Sequence, residues 1–169
     1  KIFNKLSMLG DKRSQYYLAV MFVKGQGVPQ NFKKSYYWSL SASLYGEKRA
    51  LKLIKGTTNK LSEEEIIEVN EELKLNLENT IDDGSTHAIV PLAKWFVSVL
   101  DNPDFDNSYK WLSVASALNI KNTKIARDRI FKKVDEDNLS IIQDEADLIY
   151  KKILEVNKRK KSNGDNNEI

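Results

Sequence analysis

The chain has 169 residues, one domain's worth, with 41% hydrophobic and 30% charged residues, so it can bury a core and stay soluble. Lys and Arg number 27 against 24 Asp and Glu, a formal net charge of +3, too small to mark a polyanion-seeking protein by bulk charge. With no cysteine and one histidine, disulfide frameworks, thiol catalysis, cysteine-ligated metals and two-imidazole sites are excluded, and seven Gly and three Pro are too few for a turn-rich β protein.

In chain order, Ile2 to Gly10 reads as the second helix of an incomplete preceding hairpin. From Ser14 to Lys24, Leu18, Val20, Met21, Phe22 and Val23 form an apolar helical run that stops at Gly25-Gln26-Gly27-Val28-Pro29. A second helix restarts at Asn31 or Phe32, carries Tyr36, Trp38, Leu40, Ala42 and Leu44, and ends with Gly46 as its cap. Ser62 begins another helix, whose acidic run Glu63, Glu64, Glu65, Glu68, Glu71 and Glu72 reads as a solvated face favoured by the N-terminal dipole, with a docking patch for a basic partner as the alternative. Asp135 caps the last helix, whose seam Leu139, Ile142, Ala146, Ile149, Ile153 and Val156 is spaced as in a coiled coil. That seam either seals the last hairpin or pairs with another chain. Lys158-Arg159-Lys160-Lys161 and the polar residues to Ile169 are expected to be a disordered tail. No apolar run approaches the roughly 20 residues that span a bilayer.

The same residues recur. Ser35, Tyr36, Trp38, Ala42 and Ser43 are identical to Ser108, Tyr109, Trp111, Ala115 and Ser116, five of nine positions at an offset of 73. Chance would give about one. Upstream the offset is 74, with Gly10, Ser14, Leu18, Ala19 and Phe22 matched by Gly84, Ala88, Leu92, Ala93 and Phe96. Inside this unit Gly10-Asp11-Lys12-Arg13-Ser14 returns as Gly46-Glu47-Lys48-Arg49-Ala50, at an offset of 36. An elementary period near 36 residues belongs to stacked helical hairpins, none of which can bury its apolar face alone.

These residues resemble the Sel-1-like repeat family, solenoids related to tetratricopeptide repeats. The family's pattern is read in Ser14-Gln15, Leu18-Ala19, Phe22, Gly25-Gln26-Gly27-Val28, Lys34-Ser35, Trp38, Ala42-Ser43 and Gly46. The second copy is degenerate, with Leu100-Asp101-Asn102-Pro103-Asp104 replacing the Gly-x-Gly-Val loop and Asn119 replacing Gly46. The resemblance implies an all-α, right-handed α-solenoid of antiparallel hairpins over residues 1–157: a partial hairpin at 1–10, a better-matched unit at 11–83 and a degenerate unit at 84–157. Residues 158–169 form the tail. It further implies a non-enzymatic adaptor or scaffold that holds a protein or peptide on its concave face. The alternative is a structural subunit built into a larger assembly through its sides or terminal helix, which alone would leave Trp95 or the seam uncovered. The compartment stays open, with resemblance to envelope members and a first residue other than Met favouring the bacterial periplasm or a secreted location.

In tetratricopeptide-like hairpins the first helix faces the groove. The expected partner-binding residues are Arg13, Tyr16, Val20, Val23 and Lys24, and in the second copy His87, Val90, Lys94 and Val97, an aromatic, apolar and cationic set suited to an acidic and apolar peptide. The opposing expectation is that the apolar members simply pack on neighbouring helices. No catalytic residue is named, because His87 has no identifiable nucleophile or carboxylate partner. Asp101, Asp104 and Asp106 lack the glycine and terminal glutamate of a calcium loop. No metal, cofactor, small-molecule substrate or nucleic acid is expected, since one basic cluster without a stacking platform is not a nucleic-acid site.

Overall fold

In the computed structural model, which describes residues 6–164, every element is helical and the described residues contain no strand. The chain divides into two compact units, Lys1–Asn76 and Leu77–Ile169.

In the first unit, helix α1 (Lys12–Lys24) begins two residues before Ser14, because the Asp11 carboxylate accepts from the Ser14 amide at 2.9 Å and from its hydroxyl. It ends at Gly25, whose left-handed φ of 66° turns the chain back. Helix α2 (Phe32–Leu44) starts on Asn31, whose side chain accepts from the Lys34 amide at 2.8 Å. The two helices pack as a hairpin. Ala19 and Ala42 are fully buried, and the buried Ser35 hydroxyl donates across to the Ala19 carbonyl at 2.8 Å. Small residues thus let the backbones approach, and the hydroxyl satisfies itself at the contact. Helix α3 (Ala50–Thr58) follows, with Thr57 buried and bonded to the Leu53 carbonyl at 2.8 Å.

Helix α4 (Glu63–Asp82) starts in a reciprocal cap: the Glu65 amide donates to Ser62 Oγ at 3.2 Å and the Ser62 amide to Glu65 Oε2 at 3.0 Å. Tyr36 donates to Asn70 at 2.8 Å, Asn76 donates to the Tyr37 hydroxyl at 2.9 Å, and Lys33 pairs with Glu68 at 2.6 Å. The division between the units falls within α4, so Leu77 and Ile81, both buried, belong to the second unit.

In the second unit a short 3-10 turn, Thr86–Ala88, leads into helix α5 (Ile89–Ser98), which packs on helix α6 (Phe105–Ala117). The loop between them lacks the Gly-x-Gly-Val sequence yet closes like its counterpart. Asp104 caps Asn107 at 2.9 Å, and the Asp104 amide donates to Phe96 O at 2.9 Å, as the Asn31 amide does to Phe22 O at 3.0 Å. One residue fewer in this loop accounts for the change of offset from 74 to 73. Helix α7 (Thr123–Phe131) and a 3-10 turn at Glu136–Asn138 lead to helix α8 (Leu139–Gly164), which packs on α6.

The elementary period is visible in hydrogen bonds. At Gly10, Gly46, Gly84 and Asn119 the backbone is left-handed, and the next amide reaches back five residues. The bonds are Asp11 to Leu6 O at 3.1 Å, Glu47 to Ala42 O at 2.8 Å, Ser85 to Thr80 O at 3.1 Å and Ile120 to Ala115 O at 3.0 Å. This is the six-to-one closure of a helix whose last carbonyls need partners. It marks the end of one hairpin and the start of the next.

Two expectations are corrected. Trp95 is not an uncovered side chain: it is 2% exposed and edge-on to Phe96, with ring centroids 5.4 Å apart. The stretch from Lys158 is not a disordered tail as far as Gly164, because α8 continues through it, with Lys160 donating to the Asp83 carbonyl. Residues 165–169 of the expected tail, and residues 1–5 of the expected partial hairpin, lie outside the described residues.

Candidate functional site

On α1, spacings of three and four residues put Arg13, Tyr16, Val20, Val23 and Lys24 on one stripe. Arg13 and Lys24 are exposed, and Tyr16, Val20 and Val23 are half-buried. Tyr16 is covered from above, since the Arg49 guanidinium lies 4.4 Å from its ring centroid. In the second unit His87 and Lys94 are exposed, and Val90 and Val97 are half-buried. Partial burial holds the His87 imidazole below its ordinary pKa.

The seam of α8 faces the interior of its own unit. Ile142, Ala146 and Ile153 are buried, Leu139, Ile149 and Val156 are half-buried, and Ile149, Ile153 and Val156 line a small cavity of about 50 Å³ with Trp111 and Ile81. Lys110 pairs with Glu145 at 2.8 Å and Lys152 with Asp82 at 2.6 Å along its margins. Asp104 and Asp106 are occupied by helix starts: Asp106 accepts from the Asp135 amide at 3.1 Å and from Asn138 at 3.0 Å. The described residues contain no group of three or more His, Asp or Glu placed to hold a metal ion.

A second feature was not singled out from the sequence as a site. The two Gly-acid-Lys-Arg segments meet in space, and Lys12, Arg13, Tyr17, Gly46, Glu47, Lys48 and Arg49 line an open cleft of about 530 Å³. The Lys12 ammonium donates to the Gly46 carbonyl at 3.4 Å. Arg49 grips Glu47 through both of its fork nitrogens, Nε to Oε1 at 2.9 Å and Nη2 to Oε2 at 2.8 Å, while its amide donates to Oε1 at 3.1 Å. These bonds hold the Glu47 carboxyl well below the usual range, at a pKa of about 2. The signal for this cleft was the 36-residue recurrence itself, since residues one repeat apart stack on adjacent hairpins.

No family model matches the sequence, and no curated protein matches it. Among solved structures, the chain is similar to a protective antigen present in uropathogenic Escherichia coli strains, described as displaying an SLR fold. The match has 18% sequence identity and a TM-score of 0.38, and covers 90% of this chain. The chain spans 40% of that protein's length.

Proposed function

We propose that this chain is a non-enzymatic Sel-1-like repeat module that binds a protein or peptide partner through the exposed stripes of its first helices. The observation that carries this reading is the stripe on α1, where two exposed cations flank half-buried Tyr16, Val20 and Val23. Such a surface offers apolar area to bury and charges to set register. The hairpin closure repeated at Gly10, Gly46, Gly84 and Asn119 supports the repeat architecture on which the reading depends.

The test is charge reversal at Lys24→Glu with Lys94→Glu, measured as affinity for the partner and as helicity by circular dichroism. Both side chains are exposed, so helicity stays at the wild-type level while affinity falls about tenfold or more. Unchanged affinity removes the stripes from the proposal.

One observation favours the second reading, a subunit held permanently in a larger assembly. Ile141 and Leu148 lie two turns apart on α8 and are 60% and 65% exposed, although the seam beside them is covered. No described helix is long and apolar enough to cross a membrane.

A further inference from the structure

We propose that the cleft between the two Gly-acid-Lys-Arg segments is a docking site for a short carboxylate-rich segment of a protein partner. This goes a step further than the partner-binding reading above and rests on it.

The charge of the cleft is not spent internally. Lys12, Arg13, Lys48 and Arg49 line it against one lining carboxylate, Glu47, which Arg49 already holds. Asp11 stands next to Arg13, but its carboxylate is engaged by the Ser14 amide and hydroxyl. Counting both acids, the cations still lead by two. Lys12, Arg13 and Lys48 are all exposed. Beside them Tyr17 lines the cleft and Tyr16 lies under the Arg49 guanidinium, which gives the cations a stiff aromatic floor.

These charges are not required to make the turn. The second unit closes the equivalent turns with the same hydrogen bonds, Ser85 to Thr80 O and Ile120 to Ala115 O. There Lys12 and Arg13 are replaced by Thr86 and His87, and Glu47 and Arg49 by Ile120 and Asn122, while Lys48 is matched by Lys121. Three of the four cations therefore occur in the first repeat unit alone, and the turn does not depend on them.

Its extent fixes the class of occupant. A nucleic acid needs a continuous track of cations along its backbone. In this unit the exposed acids Glu63, Glu64, Glu68, Glu71 and Glu72 oppose such a track, whereas a few carboxylates on a peptide need only the cleft.

The experiment is a fluorescence-anisotropy titration of a fluorescein-labelled hexaglutamate peptide at low and at physiological salt. The expected result is saturable binding that weakens as salt rises. Lys12→Glu with Lys48→Glu, or the milder Lys12→Ala with Lys48→Ala should the reversal unfold the chain, lowers affinity about tenfold. The charge-matched pair Lys121→Glu with Lys124→Glu leaves it unchanged within about twofold. Equal losses in the cleft pair and the Lys121/Lys124 pair, or no saturable binding, overturn the proposal. Displacement of the peptide by a single-stranded oligonucleotide at lower concentration than by unlabelled hexaglutamate overturns it in favour of nucleic acid. Because the probe is not the natural partner, this result stands or falls separately from the Lys24 and Lys94 test.

Discussion

Gly46 and Asn119 end equivalent helices in the same way. Their φ angles are 92° and 57°, and the amide that follows each donates to the carbonyl of a fully buried alanine, Ala42 at 2.8 Å and Ala115 at 3.0 Å. A residue without a Cβ takes this conformation freely, and Asn is the side chain that tolerates it best. Gly46→Ala should therefore cost about 1 kcal/mol, whereas Asn119→Gly should be neutral or slightly stabilising. Urea midpoints of the two variants check the contrast.

Gly84 carries a second constraint. Its φ is 82°, and a Cβ there would lie 2.5 Å from Asn157 Oδ1 and 2.9 Å from Val156 Cγ1 on α8. Gly84→Ala should cost about 2 kcal/mol or more, as backbone strain adds to overpacking. Gly56 is helical, and a Cβ there meets nothing within 4 Å. Gly56→Ala should stabilise the protein by about 0.5–1 kcal/mol. Opposite shifts in thermal midpoint are the expected outcome.

Most of the fold was legible because hairpin repeats are local. Apolar runs, the caps at Asn31 and Ser62, and the recurrence of Ser35 to Ser43 at Ser108 to Ser116 were all readable along the chain. Trp95 was misread, because one helical stripe does not reveal how many neighbours cover it; its burial depends on the elements packed around it. The continuation of α8 was missed because a run of like charges reads as a tail. The helix is held there by Lys160 at the Asp83 carbonyl and by the Arg159–Glu155 pair, contacts that composition does not display. The basic cleft was present in the sequence as two matching segments, but their meeting required the stacking of hairpins.

Trp95 is almost fully buried, edge-on to buried Phe96. Trp95→Ala should destabilise by about 3–5 kcal/mol, through lost burial and the cavity left behind. Chemical denaturation followed by far-ultraviolet circular dichroism reads the change.

Hydrogen bonds hold the carboxyls of Asp11, Glu47 and Glu64 below their ordinary range, and His87 is lowered as well. Glu47 has a pKa of about 2 in the folded chain against an ordinary 4.5, through its bonds to Arg49. The unfolded chain therefore takes up that proton first, and the stabilisation present above about 4.5 is lost as pH falls toward 2. His87 also lies below its ordinary 6.5, here because burial disfavours the imidazolium. Its contribution is present above 6.5 and is lost as pH falls through and below that value. Urea midpoints should decline in these two windows, and Glu47→Gln should lessen the decline in the lower one while leaving the upper one as it is.

The measurement that bears most directly on the binding role is lysine cross-linking with mass spectrometry on the protein in its native extract. Dominant cross-links from Lys24 and Lys94 to a single partner are the expected result. Cross-links concentrated on Lys151, Lys152 and Lys158, and shared among several stoichiometric neighbours, would contradict it and mark a built-in subunit held through the exposed side of α8.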